Sequence, residues 1–256
     1  MEPIRADHRD FVSSLAKGIS VIRTFGKDSE SLSLTEVAKR TGMNRAGARR
    51  LLLTLESLGY VGRDRDRFFL TSKILDLGFG YLSSTQWWDV ATPHMECVAE
   101  TVNQSCSAAL LQGDEIVYAA RVPAARIMSV ALNLGARLPA YCTSMGRVLL
   151  ASLPQDEALA ILERSNRVAH TSKSLTEIDA LMRELDAVRQ QQYSFVDQEL
   201  EQGLRSIAVP LTTRRGRTLA ALNVSGHASS CSVSTMTTNY LKALRDAAEQ
   251  IKAQLH

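Results

Sequence analysis

The spacing of apolar and polar residues divides this chain into a helical first part and a longer part in which strands and helices alternate. Apolar positions recur at helical spacing between residues 11 and 58. From residue 92 onward, short β-type runs joined by turn residues alternate with helical runs. Hairpin-linked strands with flanking helices predict an antiparallel α+β domain behind a small helical one.

Three helices are predicted in the first part. The apolar stripe of the first consists of Phe11, Val12, Leu15, Ile19 and Ile22. The second begins with a capping box, in which Ser33 accepts from the Glu36 amide and Glu36 reaches back. Gly42 ends this helix in a left-handed conformation, and Asn44 caps the third. The residues that the third helix should bury are Ala48, Leu51, Leu52, Leu55 and Leu58.

A β-hairpin with an arginine-rich tip is predicted after the third helix. Apolar residues at 60–61 and 68–70 flank the alternating arginines and aspartates of 63–67. Two short helices that meet at a glycine, followed by such a hairpin, are typical of a winged helix-turn-helix. The expected partner of that fold is double-stranded DNA.

The charge distribution supports a DNA-binding module. Residues 39–67 contain eight Lys or Arg against three acids, on a chain whose formal net charge is only +3. Arg45 and Arg49 lie one helical turn apart at the start of the third helix, from which arginine can reach guanine edges in the major groove. The alternative for each of these basic side chains is that it belongs to an ordinary solvated surface and does not contact DNA. The predicted DNA contacts are Thr35, Arg45, Ala46, Arg49, Arg50, Arg63, Arg65 and Arg67.

Residues 71–88 are predicted to form a linker helix. Its apolar strip, which includes Ile74, Leu75, Leu77, Tyr81 and Leu82, would be exposed in a monomer. Because duplex operators favour two-fold symmetric proteins, we expect a homodimer or a dimer of dimers. The predicted domains are 1–70 for DNA binding, 71–88 as the linker and 89–256 as the second domain.

The second domain is predicted from the same spacing rules. Strands are expected at 105–112, 116–121, 127–134, 193–198, 205–211 and 218–225. Helices are expected at 92–103 and at 144–151. A third helix is expected to start at Pro154, a fourth to end at about residue 191, and the last to run from about Ser232 to the end. Ser174 and Glu177 read as a second capping box that opens the helix ending near 191.

Composition argues against several other classes of protein. No run approaches the roughly 18 apolar residues of a membrane span. The four cysteines, Cys97, Cys106, Cys142 and Cys231, are too scattered to predict a zinc site or a disulfide framework. We therefore expect no cofactor, no metal and no membrane partner, and a cytoplasmic location.

No catalytic motif is present, but two candidate groups leave an enzyme as the alternative to a regulator. Asp197 and Glu199 alternate on a predicted strand near Arg205, either as an acid/base pair or as a structural ion pair. Cys142 precedes a helix start, where a thiolate or an anionic ligand would be stabilised. A further alternative is a constitutive DNA-binding protein whose large domain only oligomerises.

Several segments, in order, resemble the IclR family of bacterial transcription regulators. These segments are 34–42, 50–60, 113–118, 135–139, 143–151 and 203–210. The sequences of residues 138–151, 133–135 and 77–84 are similar to those of one branch of the family. The regulators of that branch control the β-ketoadipate pathway, including protocatechuate and 4-hydroxybenzoate breakdown. The resemblance implies a winged helix-turn-helix, a linker helix involved in dimerisation and a GAF/PAS-like effector domain. RNA polymerase is a further candidate partner.

The resemblance also implies where an effector binds. A small organic acid such as protocatechuate, 4-hydroxybenzoate or β-ketoadipate would lie against the sheet. The lining positions carried over by motif are Ser144, Met145, Val196, Asp197, Leu204, Ser206, Asn223 and Ser225. Small oxo-acid sensors of the family carry an acid where Val196 stands, so this chain suits a larger, more apolar acid. Arg126, Arg137 and Arg147 are the candidate partners of its carboxylate.

Overall fold

The computed structural model describes residues 8–26, 29–78, 87–124 and 134–255. The chain divides into two compact units, Met1–Thr85 and Gln86–His256. This division falls within the predicted linker. No helix in the described parts of the chain is both long enough and apolar enough to cross a membrane.

The first unit is a winged helix-turn-helix, as predicted. Its elements are α1 (Ser13–Ile22), β1 (Ser31–Ser33), α2 (Leu34–Thr41), α3 (Arg45–Ser57), β2 (Val61–Asp64) and β3 (Arg67–Leu70). The three strands form an antiparallel sheet in the order β1-β3-β2. Because α2, α3 and the β2–β3 hairpin share one apolar core, the turn and the wing are held as a single body.

Both predicted ends of α2 and the predicted start of α3 are confirmed by their capping contacts. Ser33 and Glu36 form the complete capping box, and Gly42 follows α2 with a φ of 67°. The Asn44 side chain accepts a hydrogen bond from the Gly47 amide at 2.7 Å and so caps α3. These contacts are local in sequence, which explains why the sequence was sufficient to predict them.

The predicted buried faces of α1 and α3 need correction. Val12, Leu15 and Ile19 of the predicted α1 stripe are exposed, and Val21 is the α1 residue that packs fully into the core. In α3, Ala48, Leu52 and Leu55 are buried and Leu51 is half-buried. Leu58 is exposed, because α3 ends at Ser57 and the chain turns before Leu58 can face the core.

The described part of the predicted linker begins with a 3-10 turn at Ser72–Ile74. Helical backbone follows at 75–78, where Leu75 and Leu77 are exposed. Tyr81 and Leu82 of the predicted apolar strip lie outside the described residues.

The second unit contains one six-stranded antiparallel sheet in the order β6-β5-β4-β9-β8-β7. The strands are β4 (Cys106–Gln112), β5 (Glu115–Val122), β6 (Arg137–Pro139), β7 (Ser194–Asp197), β8 (Leu204–Thr212) and β9 (Thr218–His227). The helices are α4 (Trp87–Val102), α5 (Ser144–Ala151), α6 (Gln155–Arg164), α7 (Ile178–Gln191) and α8 (Leu241–Gln254). A helical turn at Val233–Thr235 and a π-helical turn at Met236–Tyr240 lead into α8.

Each face of this sheet is covered by its own helices. Strand residues such as Ala108, Ile207 and Leu222 pack against α4 and α8. Their neighbours along the strands, such as Ala109, Ala208 and Ala221, pack against α5 and α7 on the opposite face. Strand side chains alternate between faces, so every central strand contributes to two separate cores.

Three predictions in this unit are wrong or fall outside the described residues. The helix expected to begin at residue 92 already includes Trp87, so Pro93 lies inside the helix and not at its first position. Trp87 and Trp88 stack with their ring centroids 3.7 Å apart and belong to the core of this unit rather than to a linker. Of the strand predicted at 127–134, residues 127–133 lie outside the described residues.

The second predicted capping box does not form. Helix α7 begins after Glu177, and no side chain caps it. The Ser174 hydroxyl instead donates to the Glu199 carbonyl at 2.6 Å and accepts from the Thr171 amide at 2.9 Å. A tertiary contact has replaced the local one, because the loop before α7 packs against the segment after β7.

Candidate functional site

The start of α3 presents a basic surface to solvent. Asn44 fixes the first turn of the helix, while Ala48 and Leu52 bind its opposite side to the core. As a result, Arg45, Ala46, Arg49 and Arg50 are all exposed. Thr35, in the first turn of α2, is exposed as well. This placement suits entry of α3 into a DNA major groove.

The three predicted arginines of the wing have different environments. Arg65 lies at the tip of the β2–β3 hairpin with a φ of 51°. The Arg63 guanidinium lies 6.0 Å from the centroid of the Phe68 ring. Arg67 donates to the side-chain and backbone oxygens of Ser31 at 2.9 and 2.6 Å. Arg67 therefore holds β1 against the hairpin, whereas Arg65 is exposed at the hairpin tip.

A cavity of about 790 Å3 opens in the second unit, on the sheet face that carries α5. Its floor is built from strand residues that face the same way. The pairs Ser206–Ser225 and Ala208–Asn223 lie opposite each other on β8 and β9. Its walls are the start of α5 and the loop between β7 and β8. The floor residues are Ser107, Tyr118, Arg121, Val196, Leu204, Ser206, Asn223 and Ser225.

The start of α5 contributes polar residues to the wall of this cavity. Thr143 caps α5 by accepting from the Gly146 amide at 3.2 Å. The Ser144 hydroxyl is buried, and within the described structure it has no hydrogen-bond partner. The first amides of a helix have no intrahelical acceptor. Together with the Ser144 hydroxyl, they form a small donor site suited to an anionic oxygen.

Gly146 is what allows the α5 wall to pack so closely. A Cβ atom at this position would lie 2.1 Å from the Ala140 carbonyl oxygen. The backbone of α5 therefore rests directly on the segment that leads into it, and any side chain at 146 would displace Ser144.

The structure brings most of the sequence-predicted lining residues together. The residues that line the cavity are Ser144, Met145, Val196, Leu204, Ser206, Asn223 and Ser225. Asp197 is the exception, because it follows Val196 on β7 and its side chain takes the opposite side of the strand. It pairs there with Arg205 at 2.6 Å and with Lys173 at 2.5 Å.

Two of the three candidate arginines, Arg137 and Arg147, are not among the residues that line the cavity in the described structure. Arg137 is on β6 and pairs with Glu115 at 2.7 Å. Arg147, on α5, is buried and pairs with Glu199 at 2.6 Å. Arg126 lies outside the described residues. The arginine that does line the cavity is Arg121 of β5, which the sequence patterns did not single out.

The candidate catalytic groups are not arranged for chemistry. Asp197 and Glu199 pair with different cations and so act as structural ion pairs. Burial raises the pKa of the Cys142 thiol to about 11, even though Arg147 acts to lower it. A thiol with that pKa is almost entirely protonated near neutral pH, whereas the thiolate is the reactive form. Within the described residues, His, Cys, Asp and Glu side chains do not gather in any group of three that could hold a metal ion.

A winged helix-turn-helix joined to a domain with a ligand-sized cavity defines the class of ligand-responsive transcription regulators. Sequence comparison agrees with this class. Residues 14–65 match the IclR helix-turn-helix domain, and residues 79–253 match the bacterial transcriptional regulator IclR C-terminal domain. The chain belongs to the IclR family of transcription regulators.

Two curated relatives cover nearly the whole chain. The Pca regulon regulatory protein of Pseudomonas putida is 41% identical over 96% of this chain and 85% of its own length. The p-hydroxybenzoate hydroxylase transcriptional activator of Acinetobacter baylyi is 34% identical over 98% of this chain and 94% of its own length. The sequence segments predict the branch of β-ketoadipate pathway regulators, and these relatives confirm that prediction.

Two solved structures support the same assignment. A transcriptional regulator from Rhodococcus sp. RHA1 is 45% identical, with a TM-score of 0.84 over 96% of this chain and 98% of that one. The inducer-binding domain of a PobR double mutant from Acinetobacter, in complex with 3-hydroxybenzoic acid, is 29% identical. Its TM-score is 0.61 over 64% of this chain and 96% of that one.

Proposed function

We propose that this chain is a DNA-binding regulator that responds to a hydroxybenzoate-type aromatic acid bound in the cavity of its second unit. One observation carries the proposal. The buried Ser144 hydroxyl, which has no partner within the described structure, lies at the start of α5 on the wall of a cavity of about 790 Å3. A carboxylate placed there accepts from Ser144 and from the first amides of α5.

The remaining lining suits an aromatic ring. Leu138, Met145, Val196 and Leu204 contribute apolar surface, and Tyr118 contributes an aromatic ring. Val196 in place of an acid leaves room for a larger, less polar ligand than an oxo-acid. The name of the Acinetobacter relative refers to p-hydroxybenzoate hydroxylase, and the related inducer-binding domain holds 3-hydroxybenzoic acid. Protocatechuate and 4-hydroxybenzoate are therefore the first effectors to test.

On the DNA side, we propose that Arg45 and Arg49 of α3 contact bases and that the wing arginines contact phosphates. Thr35, Ala46 and Arg50 complete the proposed interface. The protein would act in the cytoplasm as a homodimer or a dimer of dimers on two-fold symmetric operators, with RNA polymerase as a further partner. Residues 71–88 would transmit the effector signal. Effector and operator binding are then reciprocally coupled.

β-Ketoadipate is the second candidate effector, because a cavity with both Ser144 and Arg121 has donors for more than one acidic group. An enzymatic role has less support, because the pKa of Cys142 is raised and Asp197 and Glu199 occupy separate ion pairs. Purified protein that turned over any of these acids would favour the enzyme.

The decisive experiment is calorimetric titration of the purified protein with protocatechuate, 4-hydroxybenzoate, β-ketoadipate and benzamide. We expect saturable binding of at least one acid and none of the amide. Ser144→Ala should weaken acid binding about ten- to hundredfold, because a hydrogen bond to a charged group contributes about 1.5–3 kcal/mol. Ser152→Ala is the matched control at the other end of α5, where the hydroxyl donates to the Leu149 carbonyl. If Ser144→Ala and Ser152→Ala changed the affinity for the acid equally, this result would count against a carboxylate site at Ser144.

A further inference from the structure

Strand β5 contains an irregularity beside the cavity. Ala108 of β4 pairs with Ala120, but the next residue, Ala109, pairs with Tyr118. Ala119 is therefore an extra residue without an opposite partner on β4, which is the arrangement of a β-bulge. Bulges change the side of the sheet to which the following side chains point.

The bulge determines where Arg121 points. Tyr118 faces the α5 side, and both Ala119 and Ala120 pack on the α4 side. Arg121 then returns to the α5 side, opposite Ser107, and lines the cavity. In a regular strand, Ala120 would face the cavity and Arg121 would point into the apolar core against α4. A buried, unpaired guanidinium there would be strongly destabilising.

Arg121 and Ser144 lie on different parts of the cavity. Ser144 begins α5, which makes most of its sheet contacts with β8 and β9 and fewer with β4, β7 and β5. Arg121 is on β5, and β4 separates β5 from β9. Neighbouring strands are about 4.8 Å apart, so the backbones of β5 and β9 are separated by about 10 Å. Arg121 and Ser144 therefore line the cavity from different elements, which suits a small ligand with a polar group at each end.

We infer that Arg121 is a specificity-determining residue, which recognises a second acidic oxygen of the effector while the α5 start binds its carboxylate. This inference rests on the proposed function. The shared chemistry is an anionic or acidic oxygen, which either a ring hydroxyl or a second carboxylate supplies. Arg121 also takes part in an interaction within the protein, and arginine carries five N–H donors in all.

The test compares benzoate, which has a single acidic group, with ligands that carry a second polar group. Wild-type protein is titrated with benzoate, 4-hydroxybenzoate, 3-hydroxybenzoate and β-ketoadipate, and the titrations are repeated with Arg121→Gln. We expect wild type to bind one bifunctional acid at least tenfold more tightly than benzoate. Arg121→Gln should reduce this ratio to about one while changing the affinity for benzoate less than threefold. The preferred ligand identifies the second group as a ring hydroxyl or a carboxylate.

Arg137→Gln is the matched control, because Arg137 is an arginine of the neighbouring strand that pairs with Glu115 outside the cavity. It should leave the ratio unchanged. Arg121→Lys keeps the positive charge without the planar fork, so it should retain an intermediate ratio. It also keeps the test informative if Arg121→Gln does not fold.

Three results would overturn the inference. Equal losses for benzoate and for the bifunctional acids in Arg121→Gln would mean that Arg121 binds the shared carboxylate or acts only on the fold. An unchanged ratio would mean that Arg121 does not contact the effector. If wild type binds none of the acids, the proposed function fails as well, and this pattern differs from the other two.

Discussion

Arg147 and Glu199 form an ion pair of 2.6 Å, although each side chain is almost fully removed from solvent. Arg147 also donates to the Tyr141 carbonyl at 2.9 Å, and Glu199 accepts from the Leu175 amide at 3.0 Å. The pair therefore connects α5, which forms one wall of the cavity, to the loop between β7 and β8, which forms the other.

Replacing only one member of this pair should destabilise the second unit strongly. Arg147→Met leaves the Glu199 carboxylate buried without its cation, which costs about 3–5 kcal/mol in the free energy of unfolding. Urea unfolding followed by circular dichroism measures the loss. Arg137→Met breaks a more exposed pair and should cost less than about 1 kcal/mol.

The double variant Arg147→Met with Glu199→Gln separates charge burial from lost packing. It removes the unpaired carboxylate, so we expect it to recover a large part of the stability lost by Arg147→Met alone. A double variant that is as unstable as the single one would show that packing around Arg147, and not its charge, matters.

Substitutions on the two basic surfaces of the first unit should have different effects on DNA binding. Arg49 is exposed on α3, so Arg49→Ala should weaken operator binding by about 1–3 kcal/mol and relax the sequence preference if it contacts a base. Mobility-shift titration with operator and mutated operator measures both. Arg65→Ala should instead weaken binding to both DNAs alike and reduce the salt dependence by about one phosphate contact.

Arg67 provides the contrasting case. Its contacts to Ser31 stabilise the junction of β1 and β3, so Arg67→Ala should lower the melting temperature of the first unit and leave the base preference unchanged.

If Arg49→Ala left both operator affinity and sequence preference unchanged, α3 would not read DNA through the Arg49 side chain.

Asp197 should make the second unit sensitive to acid. Burial acts to raise the pKa of this carboxyl, but hydrogen bonds from Lys173, Arg205 and Gln198 outweigh it and lower the pKa from 3.8 to about 2. The stabilisation is therefore present above about pH 4 and is lost as the pH falls toward 2.

In Asp197→Asn, the free energy of unfolding should be lower at pH 7 and should change less between pH 4 and 2 than in wild type. Asp186→Asn, which removes a more exposed carboxylate paired with Arg189 on α7, is the control and should follow the wild-type profile. Parallel profiles for wild type and Asp197→Asn would contradict this account.

The cysteines should differ sharply in reactivity. Cys97 is exposed on α4, whereas burial raises the pKa of Cys106 to about 12 and that of Cys142 to about 11. A thiol reagent at pH 8 should label Cys97 rapidly and leave Cys106 and Cys142 unlabelled until the protein unfolds. Cys97→Ser should abolish the rapid phase. Rapid labelling of Cys142 in that variant would revive the enzymatic alternative.

Sequence reasoning succeeded where the determining contacts are local. Ser33, Gly42 and Asn44 act within a few residues of themselves, so the ends of α2 and α3 could be read directly. It failed where a distant segment competes for the same atoms. Ser174 has the spacing of a helix cap, but its hydroxyl is bound by the Glu199 carbonyl, twenty-five residues away along the chain.

The cavity shows the same limit. The family motifs selected seven residues that the structure places around one cavity, and their role in binding an effector stays a prediction. Asp197, the eighth motif position, lies next to Val196 on β7, and strand alternation turns its side chain away from the cavity. Arg121 was missed because its direction depends on the pairing between β4 and β5, which no spacing within a single strand reveals.

The strands beneath the cavity alternate between residues that face the cavity and residues that face the α4 and α8 core. On β9, Asn223 and Ser225 line the cavity, while Leu222 and Val224 lie in the opposite core. The cavity lining and the α4 and α8 core are thus built from alternate positions of the same strand. Substitutions at the cavity positions can change the lining while the core positions continue to specify the same fold.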